Sequence, residues 1–194
     1  MPNYTIINLK HVIDNEKELL EILKEKMKSF SCQKNSDVDD FIRNKAIEAA
    51  RNCSSITYLV FNREYLVGYF TLAVKYLRID IHKLPKTKQK KLKGATIEND
   101  IAHVAAYLLA QIGKNLVIPK NVSRKIEKNC LIKLAEEKIL DIQKKIGGKC
   151  FFLECEPEEK LLEYYRKNGF KLEVGERATN NNDPRTLRVI LKFI

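Results

Sequence analysis

A run of cations before a long helix contains the first residues suited to chemistry. A strand that ends at Gln111-Ile-Gly113 leads through an irregular stretch into a helix that the sequence predicts to begin near Ile126. The first N–H groups of a helix lack partners within it and carry partial positive charge, which suits phosphate. The cations of this region are Lys120, Arg124, Lys125 and Lys128. By itself the pattern favours an ordinary basic loop, and a phosphate site is the alternative.

A second group of chemically capable residues joins a strand to a helix. Phe152-Leu-Glu-Cys155 is typical of a central buried strand, and it leads into a helix that carries Tyr164-Tyr-Arg-Lys-Asn-Gly-Phe170. Tyr165 follows Leu161 by one helical turn, so a place in the core is one interpretation of it. Upstream, Gly68 interrupts an apolar strand and predicts a bulge or a close approach of another main chain.

Cysteine and histidine form no metal-binding pattern in the sequence. The five cysteines include no CxxC pair, and the odd separation of Cys150 from Cys155 puts them on opposite faces of one strand. Reduced, buried thiols are the favoured interpretation, and Cys155 as a nucleophile is the alternative. The three histidines are scattered and no HExxH motif is present. We therefore expect no metal.

Positive charge is concentrated in one stretch of a basic chain. The net charge is +11, and residues 82–93, here called the lysine segment, contain six lysines. The segment has little apolar content, so we expect an exposed loop, and no aromatic side chain within it could stack on a base. A polyanion partner and a merely solvated surface explain it equally well.

Length and composition predict a globular chain. Its 194 residues, 44% of them hydrophobic and 31% charged, suffice for a core and are too apolar for disorder. Length predicts one domain over residues 1–194. No apolar run approaches the roughly 18–20 residues that span a membrane, and no signal peptide is visible. We therefore expect a cytoplasmic protein without membrane contact.

The predicted elements alternate as in an α/β fold. Strands are predicted over residues 5–9, 56–61, 65–74, 100–112, 150–154, 170–174 and 187–194. Helices are predicted over residues 16–28, capped by Asn15, and over 36–51, 126–146 and 158–168. In the third helix an apolar stripe comprises Leu131, Ala135, Ile139, Ile142 and Ile146. The order predicts a mixed central sheet of six to seven strands flanked by helices.

These motifs, in this order, resemble the GNAT superfamily of acetyl-CoA-dependent N-acetyltransferases. The resemblance covers residues 36–194 and is most specific in Tyr164-Tyr-Arg-Lys-Asn-Gly-Phe170, which is similar to the family's Phe-Tyr-x-Lys-x-Gly-Phe. The other motifs that carry it are Thr57-Tyr-Leu-Val60, Val67-Gly-Tyr-Phe-Thr-Leu72, Gln111-Ile-Gly-Lys-Asn115, Gly147-Gly-Lys149 and Phe152-Leu-Glu-Cys155. The hairpin and Asn115 are similar to a bacterial branch that includes toxins of toxin–antitoxin pairs. The resemblance implies a single GNAT-like domain.

The resemblance also implies a site for acetyl-CoA as cosubstrate. Two neighbouring strands of the family separate and hold the pantetheine arm on their main chains, here Leu109, Ala110 and Gln111 on one strand and Glu154 and Cys155 on the other. The pyrophosphate is then expected on Arg124, Lys125, Ile126, Lys128, Asn129, Cys130 and Leu131. The family's tyrosine corresponds to Tyr165, a phenol that would donate a proton to the departing CoA thiolate.

One departure from the family concerns its phosphate loop. The family carries glycines there, whereas residues 121–131 contain none and Lys128 stands at a glycine position. Glycine lets a main chain approach phosphate closely. Cationic side chains compensate for its loss, or the chain is a non-catalytic nucleic-acid-binding protein on a degenerate GNAT fold.

The acceptor of an acetyl group must be a neutral amine. At pH 7 about 14% of an α-amine is neutral, against about 0.04% of a lysine side chain. Only His103 and Glu154 are candidates for a general base, and this favours an α-amine as the acceptor. Together with the net charge of +11, it predicts the α-amine of an aminoacyl-tRNA. A protein or small-molecule amine is the alternative. The partners expected are acetyl-CoA, tRNA, an acidic antitoxin and a second copy of the chain.

Overall fold

The structure, a computed structural model, describes residues 4–33, 35–123, 127–178 and 186–194. Within these ranges the strands are β1 (Thr5–Asn8), β2 (Ile56–Asn62), β3 (Tyr65–Asp80), β4 (Thr96–Glu98), β5 (Ile101–Lys114), β6 (Cys150–Cys155), β7 (Leu172–Ala178) and β8 (Thr186–Phe193). The α-helices are α1 (Leu9–Asn15), α2 (Lys17–Lys28), α3 (Ser36–Asp40), α4 (Ala46–Arg51), α5 (Lys86–Gln89), α6 (Lys120–Ser123), α7 (Cys130–Ile146) and α8 (Glu159–Lys167).

The strands form one mixed sheet. Their order is β1-β2-β3-β5-β6-β8-β7, and β4 pairs with β5 beside this path. β5 and β6 are parallel, whereas β1–β2, β2–β3, β4–β5, β6–β8 and β7–β8 are antiparallel. The predicted α/β sheet of six to seven strands is confirmed along the path, and the short β4 adds an eighth.

The start of the chain differs from the prediction. Residues 9–15 form α1, which the sequence analysis did not anticipate, because the Asn8 side chain caps it by accepting from the N–H groups of Lys10 and His11 at 3.0 and 3.3 Å. Asn15 was predicted to cap the next helix, and this is wrong: it is the last residue of α1. The residue that precedes α2 is Glu16, which makes no side-chain cap hydrogen bond.

Two predicted helices need smaller corrections. The helix predicted over residues 36–51 is interrupted by a π-helical turn at Phe41–Lys45. In α7 the apolar stripe is buried at Leu131, Ala135 and Ile139, but Ile146 is 70% exposed. The end of α7 is as predicted, since Gly147 and Gly148 adopt positive φ angles of 76° and 117°.

By its internal packing the chain divides into two compact units. The first comprises Met1–Ala73 and Ala110–Glu136, and the second Val74–Leu109 and Glu137–Ile194. Tyr69 is central to the first unit: its ring packs edge-on against Phe30 at 5.2 Å, and its hydroxyl donates to the Val38 carbonyl at 2.7 Å. A buried aromatic ring with a satisfied hydroxyl combines a large apolar contact with a fixed orientation.

Asn115 closes the end of β5 in the first unit. Its side chain is buried, and its Oδ1 accepts from the N–H groups of Ser31 and Val117 at 3.3 and 3.1 Å. Its Nδ2 donates to the Leu66 carbonyl at 2.9 Å, and its own N–H donates to Val67 at 3.0 Å. One amide therefore satisfies main-chain groups of three segments that would otherwise be unpaired.

Both predictions made for Gly68, a bulge and a close approach of another main chain, are confirmed. The β2–β3 register shifts between Val60 and Phe61, which leaves Val67 as the additional residue of a bulge beside Gly68. A Cβ at Gly68 would lie 2.7 Å from the Gly113 carbonyl oxygen. The close approach of this main chain therefore leaves no space for a side chain.

The second unit is built around β6. Phe151 is fully buried and packs edge-on against Phe170 at 5.1 Å. Tyr107 of β5 donates its hydroxyl to the Gly147 carbonyl, which ties the strand to the end of α7. Cys150 and Cys155 are both buried, free thiols. Among the helices of the described residues, none is long and apolar enough to cross a membrane.

Gly68→Ala should destabilise the chain, because its methyl group would meet main-chain oxygen that cannot move independently. We expect a loss of about 1–3 kcal/mol in the free energy of unfolding, measured by urea denaturation. Gly175→Ala is the matched control, since a Cβ there meets nothing within 4 Å, and it should change stability by less than about 1 kcal/mol. Equal effects of the two substitutions would contradict the close approach at Gly68.

Candidate functional site

In the second unit, the pairing of β6 changes along its length. The parallel register with β5 comprises Tyr107–Phe151, Leu108–Phe152 and Leu109–Leu153 within the described residues. β6 runs on to Cys155, and among the strand pairings of the described residues Glu154 and Cys155 pair with Val189 and Arg188 of β8 and not with β5. Main-chain groups on the other edge of this short stretch can therefore bond a ligand.

Tyr165 projects from α8 into the apolar interior of the same unit. Its side chain is 8% exposed, and its ring lies edge-on to Tyr164 at 5.3 Å and to Phe170 at 6.2 Å. Burial raises the pKa of Tyr165 well above its ordinary value, and the Cys155 thiol and Tyr164 add to the effect. The hydroxyl therefore stays protonated at neutral pH.

The structure brings Tyr165 and Cys155 together, as electrostatic neighbours. Burial raises the pKa of the Cys155 thiol to about 11, with a further contribution from Glu173. A thiol in this state is not a thiolate at pH 7, so the alternative of Cys155 as a nucleophile has no support from its surroundings. A phenol with a raised pKa is suited to donating a hydrogen bond to an anion, and less suited to releasing its proton completely.

The two candidates for a general base are both engaged elsewhere. Glu154 is mostly buried, and its carboxylate accepts from the Arg177 guanidinium at 2.9 Å. His103 lies on β5, where its ring packs against Tyr76 at a centroid distance of 5.8 Å. Each candidate base therefore already has a side-chain partner in the structure.

In the first unit, the predicted cofactor residues lie on β5 and at the start of α7. Ala110 and Gln111 are half-buried strand residues. α7 begins at Cys130, four residues later than predicted; Cys130 and Leu131 are buried, so only their main chain can meet a ligand. Lys128 is exposed and Asn129 half-buried just before the helix. Arg124, Lys125 and Ile126 lie outside the described residues.

Tyr4 is a neighbour of this helix start that sequence reasoning missed. Burial of its hydroxyl, reinforced by the Cys130 thiol, raises the pKa of Tyr4 to about 12. Burial also raises the pKa of the Cys130 thiol itself. No sequence signal points to Tyr4, because a single tyrosine ahead of the first strand has no periodic or motif context.

Comparison with known proteins gives matches in structure alone. No protein-family model matches the chain, and no curated protein matches its sequence. A tyrosine-to-phenylalanine mutant of KacT matches with a TM-score of 0.63 and 15% identity over 98% of this chain and 94% of that one. AtaT complexed with acetyl-methionyl-tRNAfMet matches with a TM-score of 0.58 and 16% identity over 96% of this chain and 94% of that one.

A tyrosine-to-phenylalanine mutant of the toxin AtaT, bound to the C-terminus of the antitoxin AtaR and acetyl-CoA, matches with a TM-score of 0.58. The identity is 13%, over 98% of this chain and 92% of that one. The fold defines the class: the chain has the GNAT fold of these bacterial toxins, as the sequence motifs predicted. At such identities the likeness concerns the fold.

The raised pKa of Tyr165 predicts a loss of stability at alkaline pH. Above about pH 10 the tyrosine ionises in the unfolded chain but not in the folded one, so the unfolded state binds fewer protons and is favoured as pH rises. Urea denaturation at pH 8 and pH 11 should show a smaller fall for Tyr165→Phe than for wild type, by about 1 kcal/mol. Tyr76→Phe, at an exposed position, should keep the wild-type fall; identical falls for all three proteins would contradict the burial of the Tyr165 hydroxyl.

Proposed function

We propose that the chain is an N-acetyltransferase that moves the acetyl group of acetyl-CoA to the α-amine of an aminoacyl-tRNA. The observation that carries the proposal is the GNAT fold combined with Tyr165, a buried neutral phenol beside the end of β6. The same fold occurs in AtaT, for which solved structures include a complex with acetyl-methionyl-tRNAfMet and a complex of a mutant with acetyl-CoA and the C-terminus of the antitoxin AtaR. The prediction of one domain over residues 1–194 stays a prediction.

Main-chain groups supply most of the proposed cofactor contacts. Glu154 and Cys155 offer the edge of β6 that faces away from β8, and Leu109, Ala110 and Gln111 offer β5. At the phosphate end, the proposal assigns the first N–H groups of α7, a helix of 17 residues, together with the exposed Lys128. Arg124 and Lys125 would add positive charge there, and Ile126 stays a predicted cofactor contact. Acetyl-CoA itself supplies an activated thioester.

Direct attack by the amine then needs little help from the protein. The attacking nitrogen must be neutral, and about 14% of an α-amine is neutral at pH 7 without a base. This matches a site whose candidate bases, Glu154 and His103, are paired with Arg177 and packed against Tyr76. A lysine acceptor, about 0.04% neutral, would require a dedicated base.

Tyr165 then acts on the leaving group. As the C–S bond breaks, negative charge develops on the CoA sulfur, and the phenol stabilises it by donating a hydrogen bond. The nitrogen loses one proton as the amide forms and the CoA thiolate gains one, so the products are the acetylated amine and the CoA thiol. Because the phenol is buried, it is itself uncharged and free of water competition. The acetylated product is an amide that has lost its nucleophilic amine. Such a reaction would inhibit translation, because the blocked amine can no longer form a peptide bond.

An acidic antitoxin is the proposed protein partner. AtaT is bound by the C-terminus of the antitoxin AtaR in a solved structure. The net charge of +11 favours an acidic partner here. A homodimer and a cytoplasmic location stay predictions.

Tyr165→Phe tests the mechanism. Acetylation of aminoacyl-tRNA, followed with radiolabelled acetyl-CoA, should show kcat lowered at least about 100-fold, with a smaller change in KM, because the lost hydrogen bond acts in the transition state. Tyr164→Phe is the matched control, one residue away on the same helix, and should keep wild-type kcat. Wild-type turnover by Tyr165→Phe would remove it from the reaction.

A second candidate function, binding of nucleic acid without catalysis, is favoured by the absence of glycine from residues 121–131. Thermal unfolding with acetyl-CoA separates the two. At about 100 times its dissociation constant, acetyl-CoA would stabilise the folded chain by about 2.7 kcal/mol and raise Tm by roughly 5 °C. No rise at millimolar acetyl-CoA would overturn the enzyme proposal in favour of the binding protein.

A further inference from the structure

The lysine segment differs from the exposed loop that the sequence predicted. It contains the short helical turns Ile81–Lys83, α5 and Lys90–Leu92. Leu84 and Leu92 are buried, with 3% and 2% exposure, so they anchor the segment to the second unit. Between the two buried leucines, Lys86, Lys90 and Lys91 are exposed and Lys88 is half-buried.

Hydrogen bonds fix the path of the segment. The Gln89 amide donates to the carbonyls of Ile81 and Leu84, each at 3.0 Å. At one end the Ile81 N–H donates to the main-chain carbonyl of Asp100 at 3.0 Å, and at the other the Lys149 ammonium donates to the Lys93 carbonyl. The main chain that carries the lysines is therefore ordered before any anion binds, which lowers the conformational entropy lost on binding.

The charge of this region is strongly one-sided. Residues 74–103 contain eight lysines and arginines against three aspartates and glutamates, a net charge of +5. Among these acids, Asp100 faces His82 at 3.3 Å. Within the described part of the chain, no ion pair involves Lys83, Lys86 or Lys90. Their charges remain available to an external polyanion.

An aromatic pair, the exposed Tyr76 and the half-buried His103, lies on the strands next to the lysine segment. Tyr76 of β3 is 67% exposed, although its ring packs against His103 of β5 at 5.8 Å. Leu77 and Ile79 point inward, whereas Tyr76 and Arg78 are exposed. A tyrosine ring that stays largely exposed beside an exposed arginine offers a face on which a base can stack.

The lysine segment connects β3, which carries Tyr76, to β4, which pairs with the strand that carries His103. The lysine segment begins two residues after Asp80, the last residue of β3, and it ends three residues before Thr96, the first residue of β4. In β4, Thr96 pairs with His103, the residue that touches Tyr76. Both ends of the segment thus return to the strands around Tyr76.

We propose that Tyr76 and His103 on β3 and β5, together with the lysine segment, form the surface that binds the RNA of the acceptor substrate. The proposal rests on the function proposed above and names which part of the chain holds the tRNA. Lysines 83, 86 and 90 contact phosphates, and the Tyr76 ring stacks on an unpaired base. Charge favours RNA over a second copy of this chain, because two surfaces of net charge +5 would repel each other.

Direct binding of fluorescently labelled, deacylated tRNA tests the lysines. The triple variant Lys83→Gln, Lys86→Gln, Lys90→Gln should weaken binding at least about tenfold near 0.1 M salt and flatten its salt dependence. The control is Lys17→Gln, Lys24→Gln, Lys28→Gln on α2, which removes equal charge from the first unit and should weaken binding less than about threefold. Equal losses in the two triples would overturn a localised surface.

Tyr76 supplies the second arm. Tyr76→Ala should weaken tRNA binding at least about fivefold, whereas Tyr76→Phe keeps the ring and should bind as wild type. Far-UV circular dichroism checks that the variants fold. Wild-type binding by Tyr76→Ala overturns the stacking surface, and a change of oligomeric state without loss of tRNA binding would assign the face to a protein partner instead.

The outcome is independent of the acetyltransferase proposal. Binding of deacylated tRNA needs no catalysis, so the lysine and tyrosine variants report on the surface even if no acetyl group is transferred. For an active enzyme, the same variants should raise KM for aminoacyl-tRNA while leaving unchanged the rate with a small aminoacyl ester, which cannot reach the surface. Equal rate losses on both substrates would overturn a role in RNA binding.

Discussion

Buried main-chain groups must find hydrogen-bond partners, and this requirement determines the structure at the end of β5. At the end of β5, one buried amide, Asn115, bonds groups from Ser31, Val117 and Leu66. Such a residue can be replaced only at the cost of several unpaired groups, about 1–3 kcal/mol for each. Gly68 belongs to the same arrangement, because the main chain that Asn115 fixes passes too close for a side chain there.

The second unit uses burial to set the state of its reactive groups. Tyr165 and Cys155 are neighbours in an apolar setting, and burial raises the pKa of both, so neither carries charge at pH 7. For Cys155 this means an inert thiol. For Tyr165 it means a hydrogen-bond donor held in place by the rings of Tyr164 and Phe170. The same physical cause thus gives opposite consequences for a nucleophile and for a donor.

Fold and charge support different parts of the functional argument. The proposed transfer of an acetyl group to an amine is argued from Tyr165 on the GNAT fold, which the chain shares with KacT and AtaT at about 15% identity. The concentration of positive charge in residues 74–103 supports the identity of the acceptor, because RNA is the polyanion that such a field attracts. A matched charge control separates that local surface from the general basicity of the chain.

The sequence by itself determined the features that depend on local pattern: hydrophobic periodicity and the ends of elements. In β3, residues 65–74 are almost continuously apolar and then alternate with charges, and the strand is buried on both faces through Ala73 and on one face after Val74. The GNAT motifs could likewise be recognised in the sequence. The end of α7 at Gly147 could be predicted because glycine allows positive φ. Only the tertiary structure decided which elements meet: that Ile146 is exposed, that Tyr76 lies against His103, and that Glu154 is paired with Arg177. Periodicity records how many faces of an element are covered, but which partner covers them depends on contacts distant in sequence.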